Sequence, residues 1–192
     1  MSRQAELFPE GAELPSGLVY RPQFLSEAEE ETLLAGIATL QLREARYKEY
    51  TAHRRVASFG AGYDFDANEL TPAPQMAPFL LPLREKVSEW LAIPADLFGY
   101  ALVAEYRAGT QLGWHRDVPQ FEMVVGISLR GAARMRFRPF PPRAGTPTFD
   151  LDLEPRSAYV LKGESRWGWQ HSIPPTRELR YSITFRTRKG TP

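Results

Sequence analysis

From residue 100 onward the chain is a succession of short apolar or alternating segments broken by glycine and proline. Nothing else in the sequence constrains the fold as much. Segments 100–107, 121–130, 133–140, 148–153, 157–162, 168–173 and 179–187 each have strand length, and turn residues separate them. In Arg134-Met135-Arg136-Phe137-Arg138 polar and apolar side chains alternate, as on a strand with one buried face. Two helical patterns precede this run. Ser26 with Glu29 makes a capping box ahead of Leu33, Leu34, Ile37 and Leu40, which recur at helical spacing. Phe79, Leu83, Val87, Trp90 and Leu91 mark the second helix, with Pro82 near its first turn. The order predicts an α+β fold, its N-terminal helices packed on one side of a β-sandwich or jelly roll. With 192 residues and no internal repeat, one domain over 1–192 is expected. Residues 1–25, rich in proline and glycine, read as an extended arm, and 43–70 as a polar and aromatic stretch between the helices.

Composition removes several alternatives. Lys and Arg number 24 against 23 Asp and Glu, a net charge of +1 that selects neither a nucleic acid nor a membrane as partner. Without cysteine there can be no disulfide, thiolate nucleophile or thiolate metal ligand, which fits a reducing cytosol. The N-terminus lacks the apolar stretch of a signal peptide, and the longest apolar runs, near Phe79 to Leu83 and Met123 to Ile127, are too short to span a bilayer. A soluble cytoplasmic protein with no membrane partner is expected.

The chain has 3 histidines, His53, His115 and His171. His115 and Asp117 form an H-x-D pair, and on a strand residues two apart point to the same face. The pair alone specifies little, and His171 alone reads as a polar side chain near a sheet edge. The order matters more: H-x-D, then a distant histidine, then arginines beyond it. Two imidazoles and one carboxylate on one face of an octahedral iron(II) leave three positions open, two for a chelating 2-oxo acid and one for dioxygen. Zinc could use the same ligands, but a zinc hydrolase would add a general base and has no need of the arginines. His53 lies in an arginine-rich stretch without metal-ligand spacing. In segment 179–187, Tyr181, Ile183 and Phe185 fall on one face and Arg180, Ser182, Thr184 and Arg186 on the other. Arginine forks would suit a dicarboxylate; the alternative is an amphipathic strand with solvated arginines.

Taken together, Ala104-Glu105-Tyr106-Arg107-Ala108-Gly109, Trp114-His115-Arg116-Asp117, Leu161-Lys162-Gly163-Glu164-Ser165-Arg166, His171 and Arg180-Tyr181-Ser182-Ile183-Thr184-Phe185-Arg186 resemble the AlkB-like family of iron(II)/2-oxoglutarate-dependent dioxygenases. The resemblance covers most of a catalytic β core at 100–187, with 43–70 in the place of a substrate lid. It implies a double-stranded β-helix core and oxidative removal of alkyl groups, using iron(II), 2-oxoglutarate as cosubstrate and O2. It also implies release of succinate, CO2 and an aldehyde. By resemblance, His115, Asp117 and His171 hold the iron, while Tyr106, Arg180, Ser182 and Arg186 line the 2-oxoglutarate site. The sequence departs from the pattern at Ala104, where the family carries Asn, and at Pro119, where DNA-repair members carry an acidic residue.

The expected substrate is an alkylated base in single-stranded nucleic acid, acted on by a monomer. Tyr63 or Phe65 would stack on the flipped base, with Arg166 and the arginines at 134, 136 and 138 near the backbone. Residues 130–143 hold five arginines and no acidic residue, and Arg54 and Arg55 add charge beside the rings. The alternatives are a protein demethylase or hydroxylase of the same fold, and a non-catalytic β-sandwich binding module.

Overall fold

In the computed structural model, which describes residues 15–47, 50–64, 69–145 and 148–190, strand alternation is resolved into two antiparallel sheets. In chain order the elements are β1 (Leu18–Arg21), α1 (Glu27–Ala38), β2 (Arg43–Tyr47), β3 (Tyr50–Phe59), β4 (Ala61–Asp64), β5 (Glu69–Pro72), α2 (Leu81–Leu91), β6 (Tyr100–Tyr106), β7 (Leu112–His115), β8 (Phe121–Leu129), β9 (Ala133–Pro139), β10 (Phe149–Leu153), β11 (Ala158–Leu161), α3 (Glu164–Trp167), β12 (Trp169–Ile173) and β13 (Arg180–Arg188). The larger sheet runs β1-β11-β8-β13-β6-β3-β2 and the smaller β10-β9-β12-β7, while β4 and β5 form a separate hairpin. This is the double-stranded β-helix, or jelly roll, with α1 and α2 on one side.

The central strands of the larger sheet, β6, β8 and β13, are buried on both faces along most of their length. Ile183 and Phe185 on β13, Val125, Ile127 and Leu129 on β8, and Ala101 and Val103 on β6 turn outward against Leu33 and Ile37 of α1 and Leu83 and Val87 of α2. Ala104, Tyr106, Val124 and Tyr159 turn inward and meet Met135, Phe137, Leu151 and Ile173 of the smaller sheet. A one-residue slip would exchange these faces, so register is strongly specified. The capping box forms as expected: Glu29 N–H donates to Ser26 Oγ at 3.2 Å and Ser26 N–H to Glu29 Oε2 at 2.7 Å.

Three expectations change. Part of the extended arm is a strand: β1 pairs with β11 along Leu18–Leu161 to Arg21–Ala158, while residues 1–14 lie outside the described residues. In the stretch between the helices, β3 pairs with β6 and widens the larger sheet. Between the first two anticipated core strands lies an unanticipated one, the four-residue β7.

Glu105, on β6, ties three strands together. It accepts from Arg55 on β3 at 2.8 and 2.7 Å, from Arg107 at 3.1 Å and from the Tyr181 hydroxyl on β13 at 3.4 Å. Hydrogen bonding to Arg55 outweighs burial and holds its carboxyl below the usual 4.5. A carboxylate depressed in the folded state stabilises above its unfolded pKa and loses that contribution as pH falls through the folded value. Glu105→Gln is therefore expected to cost about 1 kcal/mol near neutrality, discounted for the partly exposed Arg55. Urea titrations at several pH values should show the difference from the parent shrinking below pH 4.5.

Candidate metal and cosubstrate site

The smaller sheet brings the histidines together. His115 ends β7 directly opposite His171 on β12, and their rings lie 4.3 Å apart at 60°. Asp117 is not on the strand, as the two-residue spacing suggested, but in the loop that leaves it. Each of the three offers one ligand atom, and these atoms lie within 4.8 Å of one another.

Protonation states suit a cation. His115 Nδ1 lies 2.8 Å from the Gly113 carbonyl. That contact assigns the proton to Nδ1 and leaves Nε2 as the ligand atom. Burial holds His115 below its ordinary pKa, with Asp117 opposing. Burial and then His115 pull His171 down to about 3. Burial alone would raise Asp117, but Arg186, followed by the two histidines and Arg166, holds it well below the carboxylate range. At neutral pH the cluster is thus two neutral imidazoles and one carboxylate, a donor set that fits iron(II).

Two arginines brace this carboxylate. Arg186 donates from Nε and Nη2 to Asp117 Oδ1 at 3.3 and 3.1 Å. Oδ2, 3.6 Å from His171 Nε2, is left for an ion. Arg166 is 2% exposed and donates from Nη2 to the carbonyls of Val118 and Phe121 at 2.7 and 2.9 Å. Arg166 was expected beside the substrate backbone; the structure instead buries it as a tie between the loop after Asp117 and the turn before His171. That turn needs Gly163, whose φ of +54° favours glycine. The Gly163 carbonyl accepts from Arg166 N–H and Trp167 N–H at 3.1 and 3.0 Å.

Arg180 is the largest fully buried side chain, so the solvated-arginine alternative does not hold. Its Nε donates to Ser128 Oγ at 3.0 Å, yet Nη1 and Nη2 have no hydrogen-bond partner among the described residues. Burial lowers its pKa, opposed by Tyr106 and Tyr159. A buried guanidinium with two orphaned nitrogens calls for an anion, so the residues present fit a carboxylate cosubstrate. Tyr106, whose ring centroid is 5.1 Å from the Arg180 guanidinium carbon, also accepts from Arg54 Nη1 at 3.2 Å.

Tyr106, Ser182, Arg186 and the triad line one cavity of about 1300 Å³, together with Tyr63 from the β4–β5 hairpin. Phe65 lies outside the described residues. Sequence reasoning missed Tyr159 and Arg116 on its wall. Arg116, inside the H-x-D itself, stacks on Phe140 at 3.9 Å and donates to the Trp167 carbonyl at 2.9 Å; its position in the motif was the available signal. Arg134 and Arg136 are not free for phosphate. Arg134 pairs with Asp152 at 3.0 Å and Asp150 at 3.7 Å, and Arg136 with Asp150 at 3.6 Å, across β9 and β10. Arg55 faces the outer side with Glu105, whereas Arg54 reaches the cavity.

Residues 17–186 match the family described as the 2OG-Fe(II) oxygenase superfamily. The chain is 29% identical over 183 residues to the alkylated DNA repair protein ALKBH8 homolog of Arabidopsis thaliana, covering 82% of this chain and 51% of that protein. It is 26% identical over 174 residues to the mouse tRNA (carboxymethyluridine(34)-5-O)-methyltransferase ALKBH8, covering 85% of this chain and 25% of that one. It is also 33% identical over 101 residues to an uncharacterized protein of Acanthamoeba polyphaga mimivirus, covering 44% of this chain and 46% of that protein. The chain thus spans about half or less of the curated relatives it matches. The solved structure of OsALKBH1 superposes with a TM-score of 0.66 at 18% identity, over 94% of this chain and 100% of that one, a likeness of fold. Among the described residues no helix is long and apolar enough to cross a membrane.

Removing any of His115, Asp117 or His171 leaves a site that water must complete. Each alanine variant is expected to lose iron(II) binding, read by metal titration. Arg166→Gln, which touches no ion, should weaken iron affinity by about 10- to 100-fold by loosening the Asp117 loop. Undiminished affinity in Arg166→Gln would show that the loop holds its place without the brace.

Proposed function

Since this chain belongs to the 2OG-Fe(II) oxygenase superfamily and is an iron(II)- and 2-oxoglutarate-dependent dioxygenase, we propose that it oxidises the alkyl group of an alkylated base in single-stranded nucleic acid. Iron(II) held by His115, Asp117 and His171, with 2-oxoglutarate and dioxygen, would supply the oxygen inserted into a C–H bond as succinate and CO2 are released. Hydroxylation of a carbon attached to nitrogen gives an unstable product that sheds an aldehyde.

The side chains divide the remaining work. Arg180 holds one carboxylate of the oxo acid through its two unpartnered nitrogens, and an arginine fork fixes orientation as well as charge. Tyr106 and Ser182 line the same cavity as the metal ligands. Arg186 secures the Asp117 carboxylate from one side, which leaves the opposite oxygen for the ion. His171 is buried, and the Asp117 side chain is only 10% exposed, which limits the access of bulk water to the reacting carbon.

The observation that carries the substrate reading is a pair of arginine–aromatic stacks beside the H-x-D. Arg138 lies 4.4 Å over the Trp114 ring and Arg116 lies 3.9 Å over Phe140, which is 39% exposed. Among the described residues no carboxylate pairs with either arginine. Arg138 is held by the neutral Gln170 at 2.9 Å. Uncompensated guanidinium charge interleaved with rings is the chemistry that tracks an unpaired strand. Tyr63, on the β4–β5 hairpin and lining the cavity, would stack on a flipped base. The names of the Arabidopsis and mouse relatives, one referring to alkylated DNA and one to tRNA, support a nucleic-acid substrate. With Pro119 where repair members carry an acidic residue, base choice should be looser or differently directed.

Succinate release over a panel of methylated single-stranded DNA, RNA and peptides tests this reading. Stimulation by an oligonucleotide is expected, and stimulation by a methylated peptide alone would overturn it. Replacing Arg116 and Arg138 together by Ala should weaken oligonucleotide binding and flatten its salt dependence by about one unit per lost phosphate contact. Arg134→Ala, whose charge is already paired, should change that slope little.

A further inference from the structure

A second, smaller pocket of about 360 Å³ is lined by Leu70, Pro119, Gln120, Arg188 and Lys189. That is the size of a small-molecule site, well below the first cavity. Three junctions set the two side by side. Val118 lines the first and Pro119 the second. Tyr63 lines the first, and Leu70, its register partner across the β4–β5 hairpin, lines the second. Arg186 lines the first, and Arg188, two residues further along β13, lines the second. Lys189 N–H donates to the Gln120 carbonyl at 2.8 Å, which ties the end of β13 to the loop after Asp117.

The pocket is cationic. Arg188 and Lys189 are exposed, and among the described residues no carboxylate pairs with either. Lys189 Nζ lies 5.1 Å over the Trp167 ring. The Trp167 carbonyl accepts from Arg116, which stacks on Phe140. The run of cations and rings beside the H-x-D thus continues through Trp167 to this pocket. Glu122 is engaged by the same ring, accepting from Trp167 Nε1 at 3.0 Å. Leu70 and Pro119 supply an apolar wall, and Pro119 is exposed with neither charge nor N–H. A carboxylate at position 119 would stand beside Arg188 and Lys189 and neutralise them. Proline leaves both for an anion. An apolar wall with two cations at its edge suits a ring that carries a phosphate.

We propose that this pocket seats the nucleotide next to the flipped base, its ring packed on Leu70 and Pro119 and its phosphate held by Arg188 and Lys189. The assignment rests on the single-stranded nucleic-acid reading. It adds a subsite away from the metal and the cosubstrate, and it gives Pro119 a role in binding the strand.

Fluorescence anisotropy with anaerobic iron(II)-loaded protein tests it. The probes are fluorescein-labelled DNA and RNA strands of five nucleotides with 1-methyladenine at the centre. Replacing Arg188 and Lys189 together by Ala should raise the Kd about tenfold or more, the scale of one lost charge-assisted contact. The salt slope should flatten by about 0.7 per lost phosphate contact, with affinities for iron(II) and 2-oxoglutarate unchanged. Pro119→Glu should raise the same Kd by pairing with those cations. Abasic sites on both sides of the methyladenine should weaken binding to the parent, and weaken it less in Leu70→Ser, where the packing is already lost. Equal losses in both proteins would put the flanking bases elsewhere and overturn the seating of a ring here. If Arg116→Ala with Arg138→Ala weakens binding while the Arg188 and Lys189 replacements and Pro119→Glu leave Kd and salt slope at parent values, the pocket lies off the strand's path and the proposal fails alone. If the parent binds neither strand, the nucleic-acid reading itself fails and the proposal falls with it.

Discussion

A carboxylate buried beside two imidazoles is the arrangement on which the rest of this structure depends. Asp117 leaves water only because Arg186 meets one of its oxygens and Arg166 pins the loop that carries it. A buried charge without such partners would take up a proton. A protonated Asp117 would be a poor ligand for a cation. Placing the two arginines needs both sheets. Arg186 comes from the end of β13 in the larger sheet, while Arg166 comes from α3, which leads into β12 of the smaller. The jelly roll is therefore the device that brings a strand end, a loop and a tight turn to one point.

β13 shows how one strand serves core and site together. Ile183 and Phe185 are fully buried against the helix side, while Ser182, Thr184 and Arg186 line the cavity and the fully buried Arg180 alternates onto their face of the strand. The hydrophobic face fixes the register, and the register then aims the arginines. Arg180 is kept charged and incompletely paired in the core, an unfavourable state that a bound carboxylate would relieve. This is the sense in which site and stability are in tension: what makes the chain a receptor for an anion is what the unliganded core would gain by losing.

Much of this was legible in the residues. The strands after residue 99, the capped first helix and the alternation of β13 all follow from spacing, because burial on one face imposes a period on the sequence. β7 was not legible, since four residues containing Gly113 carry too little pattern. β2 and β3 were missed because their charged and aromatic residues serve a sheet edge and a cavity wall, so apolar periodicity is weak there. The role of Arg166 could not be read from its type. An arginine after a glycine turn looks the same whether it meets phosphate or two backbone carbonyls, and only tertiary structure decides. Arg134 and Arg136 misled for a similar reason: Asp150 and Asp152 are distant in sequence and adjacent across β9 and β10. Tyr159 left no trace because its ring lies over Gly126, a residue on a neighbouring strand.

The central claim is that His115, Asp117 and His171 form a preassembled iron site with the cosubstrate's arginine behind it. A crystal structure with manganese(II) and 2-oxoglutarate tests it most directly. The account predicts one ion on these three side chains in essentially their present positions, and a carboxylate of the oxo acid against the Arg180 guanidinium. An ion bound elsewhere, a triad that must rearrange to receive it, or an oxo acid that leaves Arg180 unpaired would contradict it.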